Sequence, residues 1–369
     1  PYADDGRPFP FEWNASWESG ELATFTGEIS PPASAVRGGR TYRARVRHKD
    51  KDGRNDEEER WSHWSAPVEF TVTDPDIEVY RQSLVISEIM YNPAGTSEDL
   101  EFIEIRNIGE SPLDLTDVRF TKGIDFDFAP GTTLDPGAYL LVVHNRTAFE
   151  AEYGSDLPVA GEYRDQAENN LSNAGERLKL AFGALAIHEF EYGDMAPWPT
   201  GSDGDGYSLV LSHTTDHAGT DPLDPAGHGL ASNWRMSVSP GGNPGDFDSA
   251  SFAGTDPSAD HDSDGLQAFL EHALGSDDTD PVSGPGLFAA GRDGEFVTFT
   301  YRRNLSADDA AFLVETSADL VEWTPDASLW SETPNGDGTS TVTFRAVAPI
   351  RENEELFLRL RVDRVTPLP

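Results

Sequence analysis

Several residue types and motifs are scarce or missing from this 369-residue chain. It has Cys 0, which excludes disulfide frameworks, zinc-thiolate sites and cysteine nucleophiles. No apolar run approaches the about 18 residues that a membrane-spanning helix requires, so we expect no membrane insertion. A G-x-S-x-G elbow, an H-E-x-x-H helix, a P-loop and a G-x-G-x-x-G turn are all missing from the sequence. We therefore name no catalytic residue and expect no enzyme activity of the chain itself.

Positive charge is also in short supply. Lys+Arg number 27 against Asp+Glu 66, which gives a formal net charge of -39. Nucleic-acid affinity comes mainly from basic side chains that displace counterions from phosphates, so this balance argues against nucleic acid and against anionic membrane surfaces. An acidic, lysine-poor surface is compatible with an extracellular setting, although genomic bias explains the lysine shortage equally well.

Glycine and proline are plentiful, with Gly 34 and Pro 26, and this composition is typical of short strands joined by many turns. Together with period-two alternation of apolar residues, it predicts an all-β protein. We expect serial β-sandwich modules joined by a calcium-loop linker. The predicted units are residues 1–74, 83–248, 255–281 and 284–369.

The first unit resembles the last third of a fibronectin type III module. The resemblance rests on the alternating segment Thr41–Arg47, the Trp61-Ser-His-Trp64-Ser box and the final strand Val68–Val72. Guanidinium groups of the strand can stack on Trp61 and Trp64. Since 74 residues are too few for a whole module of about 100, we expect this unit to be partial.

The second unit, 83–248, resembles a lamin tail domain, and its motifs follow one another in that family's order. They are Leu84-Val-Ile-Ser-Glu-Ile-Met-Tyr-Asn-Pro93, Glu101-Phe-Ile-Glu-Ile-Arg-Asn107, Leu134-Asp-Pro-Gly137, Leu171-Ser-Asn-Ala-Gly-Glu176, Pro197-Trp-Pro199, Asn233-Trp-Arg235 and Ser239-Pro-Gly-Gly242. The resemblance implies an immunoglobulin-like sandwich. It also implies an accessory module of a secreted or surface protein, since bacterial lamin tail domains are used in this way.

The most specific local motif is an acidic loop in the third unit. Residues Asp260 to Glu271 match the calcium-loop pattern Asp-x-Asp-x-Asp-Gly-x5-Glu at every defined position. Calcium takes six to eight oxygen ligands. The expected ligands are the carboxylates of Asp260, Asp262 and Asp264, the carbonyl of Leu266 and a bidentate Glu271. One apolar-striped helix follows and should end at Gly275. The alternative is an acidic solvated linker without an ion.

The fourth unit, 284–369, alternates as strands and is similar to a β-module that ends many secreted bacterial proteins. That resemblance implies no activity. We expect the strands Leu84–Met90 and Phe357–Val362 to form sheet edges at which another copy of the chain could pair.

Weaker candidates were weighed against ordinary structural roles. Asp203 and Asp205 suggest an acidic turn, and whether they form a second ion site stays open. His213, His217 and His228 are expected in a solvent-exposed loop rather than around a metal. We also expect a solvated edge where the sequence places the glutamates Glu88, Glu101 and Glu104.

The sequence therefore predicts a non-catalytic extracellular or cell-surface structural or attachment protein, stiffened by calcium. Its expected partners are other extracellular modules or copies of itself. The alternative is a polysaccharide-binding ancillary tail of a larger secreted enzyme, with an exposed tryptophan such as Trp198 as the sugar platform.

Overall fold

The computed structural model describes residues 15–24, 36, 41–50, 61–72, 77–95, 98–164, 169–183, 185–212, 225–284, 286–350 and 355–367. Strands account for 38% and helices for 12% of the protein, which confirms the predicted all-β class. Within the described residues, no helix has the length and apolar composition needed to cross a bilayer.

The N-terminal described part holds one strand pair. Strand β1 (Thr41–Ala44) pairs antiparallel with β2 (Val68–Thr71). Just beyond β1, the Arg47 guanidinium lies 4.4 Å from the ring centre of Trp61 and 4.5 Å from that of Trp64. The predicted arginine–tryptophan stacking is thus present, while the fibronectin-like character of this unit stays a prediction.

Two sheets and two short helices form a central sandwich, a name used below for strands β3 to β14. The larger sheet has six strands in the order β10-β9-β4-β3-β13-β14, and the smaller sheet has four in the order β12-β11-β6-β7. The elements are α1 (Ile77–Ser83), β3 (Leu84–Met90), β4 (Phe102–Asn107), β5 (Leu113–Asp114), β6 (Val118–Lys122), β7 (Phe126–Asp127), β8 (Thr133–Leu134), β9 (Tyr139–Val143), α2 (Arg146–Tyr153), β10 (Val159–Glu162), β11 (Glu176–Phe182), β12 (Leu185–Tyr192), β13 (Leu209–Leu211) and β14 (Trp234–Met236). Short 3-10 helices cover Glu98–Leu100, Thr200–Ser202, Pro225–Gly229 and Ala231–Asn233.

Strand β3 lies inside the larger sheet, paired with β4 on one side and with β13 on the other. All seven of its residues are buried, because one face packs on the smaller sheet and the other lies under α2 and the segment after β14. The prediction of a free sheet edge at Leu84–Met90 is therefore wrong. The pairing of β3 with the three-residue strand β13 is a long-range contact that no local sequence pattern predicts.

A C-terminal sandwich, meaning α3 with strands β15 to β20, follows. Four strands form one sheet in the order β15-β16-β19-β18, and β17 pairs with β20 in the facing sheet. The elements are α3 (Ala268–Leu274), β15 (Phe288–Asp293), β16 (Phe296–Asn304), β17 (Ala310–Ser317), β18 (Ala327–Pro334), β19 (Thr339–Ala346) and β20 (Phe357–Arg364). Among the named strands, β20 has β17 as its single partner, in agreement with the edge expected at Phe357–Val362.

Helix α3 belongs to the core of the C-terminal sandwich. Leu274 packs with Leu287, Tyr301, Val314 and Val342. On a neighbouring patch, Phe269 and Ala273 pack with Ala307 and Ala310. The helix that follows the predicted calcium loop is thus fixed against the sheets rather than suspended between two modules.

Candidate metal centre

The loop Asp260–Glu271 is held in a tight coil by its own aspartates. Asp260 Oδ2 accepts a hydrogen bond from the Gly265 N–H at 3.2 Å, and Asp262 Oδ1 accepts one from the Asp264 N–H at 3.1 Å. Asp264 Oδ1 accepts from the Leu266 N–H at 2.7 Å. Gly265 has φ +96, a left-handed conformation that glycine adopts without a Cβ clash. These bonds fold the chain so that the three carboxylates converge.

The convergence is close enough for one cation. Each of Asp260, Asp262 and Asp264 offers a carboxylate oxygen, and these oxygens all lie within 4.8 Å of one another. Like charges at this distance repel. An arrangement of oxygen donors alone suits a hard cation such as Ca²⁺ rather than zinc, which prefers nitrogen and sulfur ligands.

Glu271, on α3, lies outside this group of three, but it is close enough for Asp262 and Asp264 to act on its carboxyl group. Its side chain is 0% exposed; Oε1 accepts from the Ser276 hydroxyl at 3.0 Å, whereas Oε2 is buried without a hydrogen-bond partner among the described residues. Burial raises the pKa of Glu271, and the carboxylates of Asp262, Asp264 and Asp278 raise it further. The same kind of orphaned oxygen occurs in the loop itself, at Asp262 Oδ2.

Leu266, whose main-chain carbonyl is the remaining predicted ligand, directly follows Gly265 in the loop. Its side chain packs against the hydrophobic cluster of the C-terminal sandwich. This contact anchors the loop on the C-terminal sandwich. The helix then ends at Gly275, as predicted, in the left-handed conformation with its N–H bonded to Glu271 O and His272 O.

Three residues near the loop were not identified from the sequence. An Asp278 carboxylate oxygen lies 2.7 Å from His261 Nδ1, and its charge raises the pKa of Glu271. Ser276 bonds Glu271 directly. Gly284 comes so near that a Cβ there would lie 2.2 Å from Asp264 Oδ2. Only the acidic run after α3 could have pointed to Asp278.

The other acidic turn does not form a comparable cluster. Asp203 and Asp205 are exposed, and Asp203 Oδ1 accepts from Asn92 Nδ2 at 2.7 Å. Among the described residues, the group Asp260, Asp262 and Asp264 is the one in which three potential metal ligands converge.

The glutamates expected at a solvated edge are buried instead, which corrects that prediction. Glu88 and Glu104 are cross-strand neighbours on β3 and β4, 2% and 1% exposed. Glu88 Oε1 accepts from Ser208 Oγ and from the Asn243 N–H, and Glu104 Oε2 accepts from the Gly245 N–H at 2.6 Å. Their burial is possible because the segment after β14 brings main-chain donors onto them. They clamp that segment onto the larger sheet.

These carboxyl groups have altered acidity. Burial raises the pKa of Glu104 to about 7, and burial together with the neighbouring Glu104 raises the pKa of Glu88. Glu101, 0% exposed, has its pKa raised to about 8 by burial, while Tyr163 Oη and the Leu171 N–H both bond its Oε2. All three carboxyl groups bond main-chain segments, which is a structural role.

His228 and Trp198 also differ from expectation. His228 is 1% exposed and packs against His188, with ring centres 3.8 Å apart and the rings tilted by 31°, rather than lying in an exposed loop; His213 and His217 lie outside the described residues. Trp198 is 8% exposed and packs on Gly193 and Trp234, so it cannot serve as a sugar platform. The His228 and Trp198 rings are therefore both buried in the central sandwich. Their burial could not be predicted from the sequence, because both residues lie in polar, turn-rich segments.

Comparison with known protein families identifies part of the central sandwich. The family model of the Lamin Tail Domain matches residues 80–194. This supports the core of the resemblance stated above, and the structure adds β13 and β14, which lie beyond the matched residues, to the same sheet. No curated protein and no solved structure matches the chain. The lamin tail domain is an immunoglobulin-like β domain, which is consistent with a non-catalytic structural module.

Proposed function

We propose that the chain is a non-catalytic extracellular structural or attachment protein that binds calcium in the loop Asp260–Glu271. One observation carries the proposal: three aspartate carboxylates converge within 4.8 Å, and the nearby Glu271, whose carboxyl group feels the charges of Asp262 and Asp264, has a buried oxygen without a hydrogen-bond partner among the described residues. An unsatisfied buried acceptor costs about 1–3 kcal/mol. A bound cation removes that cost and neutralises the repulsion among the carboxylates.

The donor set favours calcium over other divalent ions. Calcium accepts six to eight oxygens in flexible geometry, whereas magnesium demands an octahedral shell and retains several waters. A loop that presents three converging carboxylates, with Glu271 nearby, satisfies calcium more readily. We expect a dissociation constant of about 0.1 to 1 mM, the range of extracellular calcium modules.

The structural role is supported by how the acidic residues are used. In the central sandwich, the buried Glu88, Glu101 and Glu104 hold main-chain segments in place. In the C-terminal sandwich, the acidic loop sits at the start of a core helix. An ion bound there would stiffen the fold, in keeping with an attachment or assembly piece that meets other modules or copies of itself.

Isothermal titration calorimetry of the whole chain tests the calcium proposal. Wild-type protein should bind one Ca²⁺, and Asp262→Asn or Glu271→Gln should weaken binding at least about tenfold, because each removes a charged ligand. Glu110→Gln serves as the matched control, since Glu110 is exposed and lies in the central sandwich. Calcium heats that persist unchanged in both loop variants would refute the site.

One further observation favours the polysaccharide-binding alternative. Trp330 is 47% exposed on β18, and Arg345 of the adjacent β19 lies over its ring at 3.6 Å. Arg345 and Thr341 share one face of β19. At the other end of that face a cavity of about 260 Å³ is lined by Ser283, Gly286, Leu287, Ala289, Thr300, Tyr301, Arg302 and Thr341. An exposed indole that shares a sheet with a hydroxyl-lined cavity suits a sugar ligand that extends along the sheet.

A glycan array probed with the whole chain tests this alternative. Binding that Trp330→Ala abolishes would establish a sugar-binding face in place of the expected platform at Trp198. The control is Trp64→Ala, which removes another exposed, arginine-stacked indole far along the chain. Absence of glycan binding, or equal loss in both variants, would contradict a specific role for Trp330.

A further inference from the structure

A buried arginine joins the central and C-terminal sandwiches. Arg235, on β14, is 0% exposed, and its Nε and Nη2 donate to Asp308 Oδ1 and Oδ2 at 2.6 and 2.9 Å. Nη2 also donates to Asp248 Oδ1. Asp308 is itself 1% exposed and lies between β16 and β17. Breaking one side of such a buried pair leaves an uncompensated charge, which is strongly destabilising.

Packed contacts surround this ion pair. Leu305, just before the C-terminal sandwich's Asp308, forms a buried cluster with Tyr207 and Met236 of the central sandwich. Thr200 Oγ1 donates to Glu332 O at 2.8 Å and accepts from the Glu332 N–H at 3.3 Å. The junction between the sandwiches is therefore a core-like surface rather than a single tether.

Asp309, the residue next to Asp308, contacts the helix that follows the acidic loop. Asp309 is 2% exposed; its Oδ1 lies 2.8 Å from His272 Nε2, and its Oδ2 accepts from the Phe252 N–H at 2.8 Å. Phe252 in turn lies edge-on against Phe269 and His272 of α3. His272 is the immediate neighbour of Glu271, the glutamate of the acidic loop.

Two consecutive aspartates thus connect three parts of the chain. Asp308 holds the central sandwich through Arg235, and Asp309 holds α3 through His272 together with the segment that links the sandwiches through Phe252. Main-chain bonding adds to this, because the Ala250 N–H donates to Ser306 O at 2.7 Å. A displacement of α3 therefore cannot leave the surroundings of Asp308 unchanged.

We propose that Asp308 and Asp309 couple ion binding in the loop Asp260–Glu271 to the junction, so that the bound ion fixes the relative orientation of the two sandwiches. This rests on the proposed calcium binding. Without the ion, the three converging aspartates and the nearby Glu271 repel one another, which strains the hydrogen-bonded loop and loosens the start of α3. With the ion, Glu271 is drawn to the loop, α3 is held, and His272 keeps Asp309 in place.

Coupling of this kind is reciprocal, which gives it a thermodynamic signature. If the ion stabilises the junction, a weakened junction must weaken ion affinity by the same factor. Asp309→Asn keeps an acceptor for the Phe252 N–H and weakens the contact to His272. We expect it to raise the calcium dissociation constant about fivefold or more, at the low end of measured couplings.

Pulsed electron paramagnetic resonance on the whole chain tests the inference. Because the chain has Cys 0, single cysteines at exposed Ser111 and Val321 place one spin label on each sandwich without background. Calcium should narrow the distance distribution at least about twofold relative to chelator, and Asp309→Asn should remove this response. Asp293→Asn is the control, since it breaks an exposed ion pair with Arg345 that involves neither Asp308, Asp309 nor His272.

The outcomes separate this inference from the proposed function. If calorimetry detects no calcium binding, both fall. If calcium binds and the wild-type distance distribution is the same with and without it, the coupling is wrong while the calcium site survives. The wild-type comparison requires no substitution in the junction, so a variant that fails to fold cannot obscure the result. Equal calcium affinity in wild type and a folded Asp309→Asn variant would also overturn the coupling.

Discussion

His188 and His228 pack against each other in the interior and together cap the part of strand β3 that β13 does not reach. The Ile86 N–H donates to His228 Nε2 at 3.2 Å, and His188 Nε2 lies 2.7 Å from Leu84 O. Donor and acceptor roles then fix the protons: His228 Nε2 must be unprotonated, whereas His188 Nε2 carries hydrogen. Two side chains thus replace a neighbouring strand along this stretch.

This histidine cap predicts acid sensitivity. Burial lowers the pKa of His228, and the nearby His188 lowers it further, while the other surroundings are the rings of Phe190 and Trp234 and the main chain of β3. Since the unfolded histidine takes up a proton near pH 6.5, stability should fall below that pH, by up to about 1.4 kcal/mol per pH unit. Urea unfolding at several pH values measures this slope.

His228→Gln should flatten that slope relative to wild type, because it removes the titrating group. His63→Gln is the control, since His63 is an exposed histidine. A wild-type and a His228→Gln profile that run parallel between pH 5 and 7 would show that the cap does not titrate in the way described.

Glu101 predicts the opposite dependence on pH. Its pKa is raised to about 8 by burial, above the value of about 4.3 in an unfolded chain. The folded state therefore holds a proton that the unfolded state releases, and stability declines as pH rises from about 4.3 to 8. Oε2 takes both hydrogen bonds, and Oε1 has no partner among the described residues. A glutamine can therefore place its oxygen at Oε2 and its amide nitrogen at Oε1.

Glu101→Gln should accordingly gain stability relative to wild type as pH rises through this range, and the difference should level off above pH 8. Chemical denaturation at pH 5, 7 and 9 provides the comparison. A difference that is constant across these three values would mean that Glu101 titrates as an ordinary exposed carboxyl group.

The clamp on the segment after β14 predicts a steric requirement for Gly242. It has φ +73, and a Cβ there would lie 2.2 Å from Glu88 Oε1. Gly242→Ala should destabilise the protein by more than the about 1–2 kcal/mol of left-handed strain alone. Gly241→Ala isolates that strain, because Gly241 also has positive φ but a Cβ there would lie 3.7 Å from Tyr153 Oη, an ordinary contact distance. Equal losses of stability, measured by thermal unfolding, would contradict the clamp.

The sequence predicted those features whose determinants are close together in the chain. The acidic loop is one example, since its aspartates, Gly265 and Glu271 lie within 12 consecutive positions and their spacing alone implies convergence. The end of α3 at Gly275 is another. The alternating and apolar strand segments, including β3, β4 and β16, were likewise visible from their periodicity.

Features built by long-range pairing were not predictable in this way. Glu104 looks like a solvent-facing strand residue until Gly245, 141 positions later, donates to it. The edge of β3 is covered by His188 and His228 from distant segments. Asp309 meets His272 across 37 positions. In each case a polar residue is buried because a group far away in the sequence forms a hydrogen bond with it. Patterns in a single sequence do not predict that partner.

Equilibrium dialysis of the whole chain against radioactive calcium at concentrations up to about 10 mM, ten times the weakest expected dissociation constant, tests the central claim most directly, because it counts bound ions rather than their consequences. The account predicts close to one Ca²⁺ per wild-type chain at saturation, retained in excess magnesium and lost in Glu271→Gln. Wild-type protein that holds no more calcium than Glu271→Gln would contradict it.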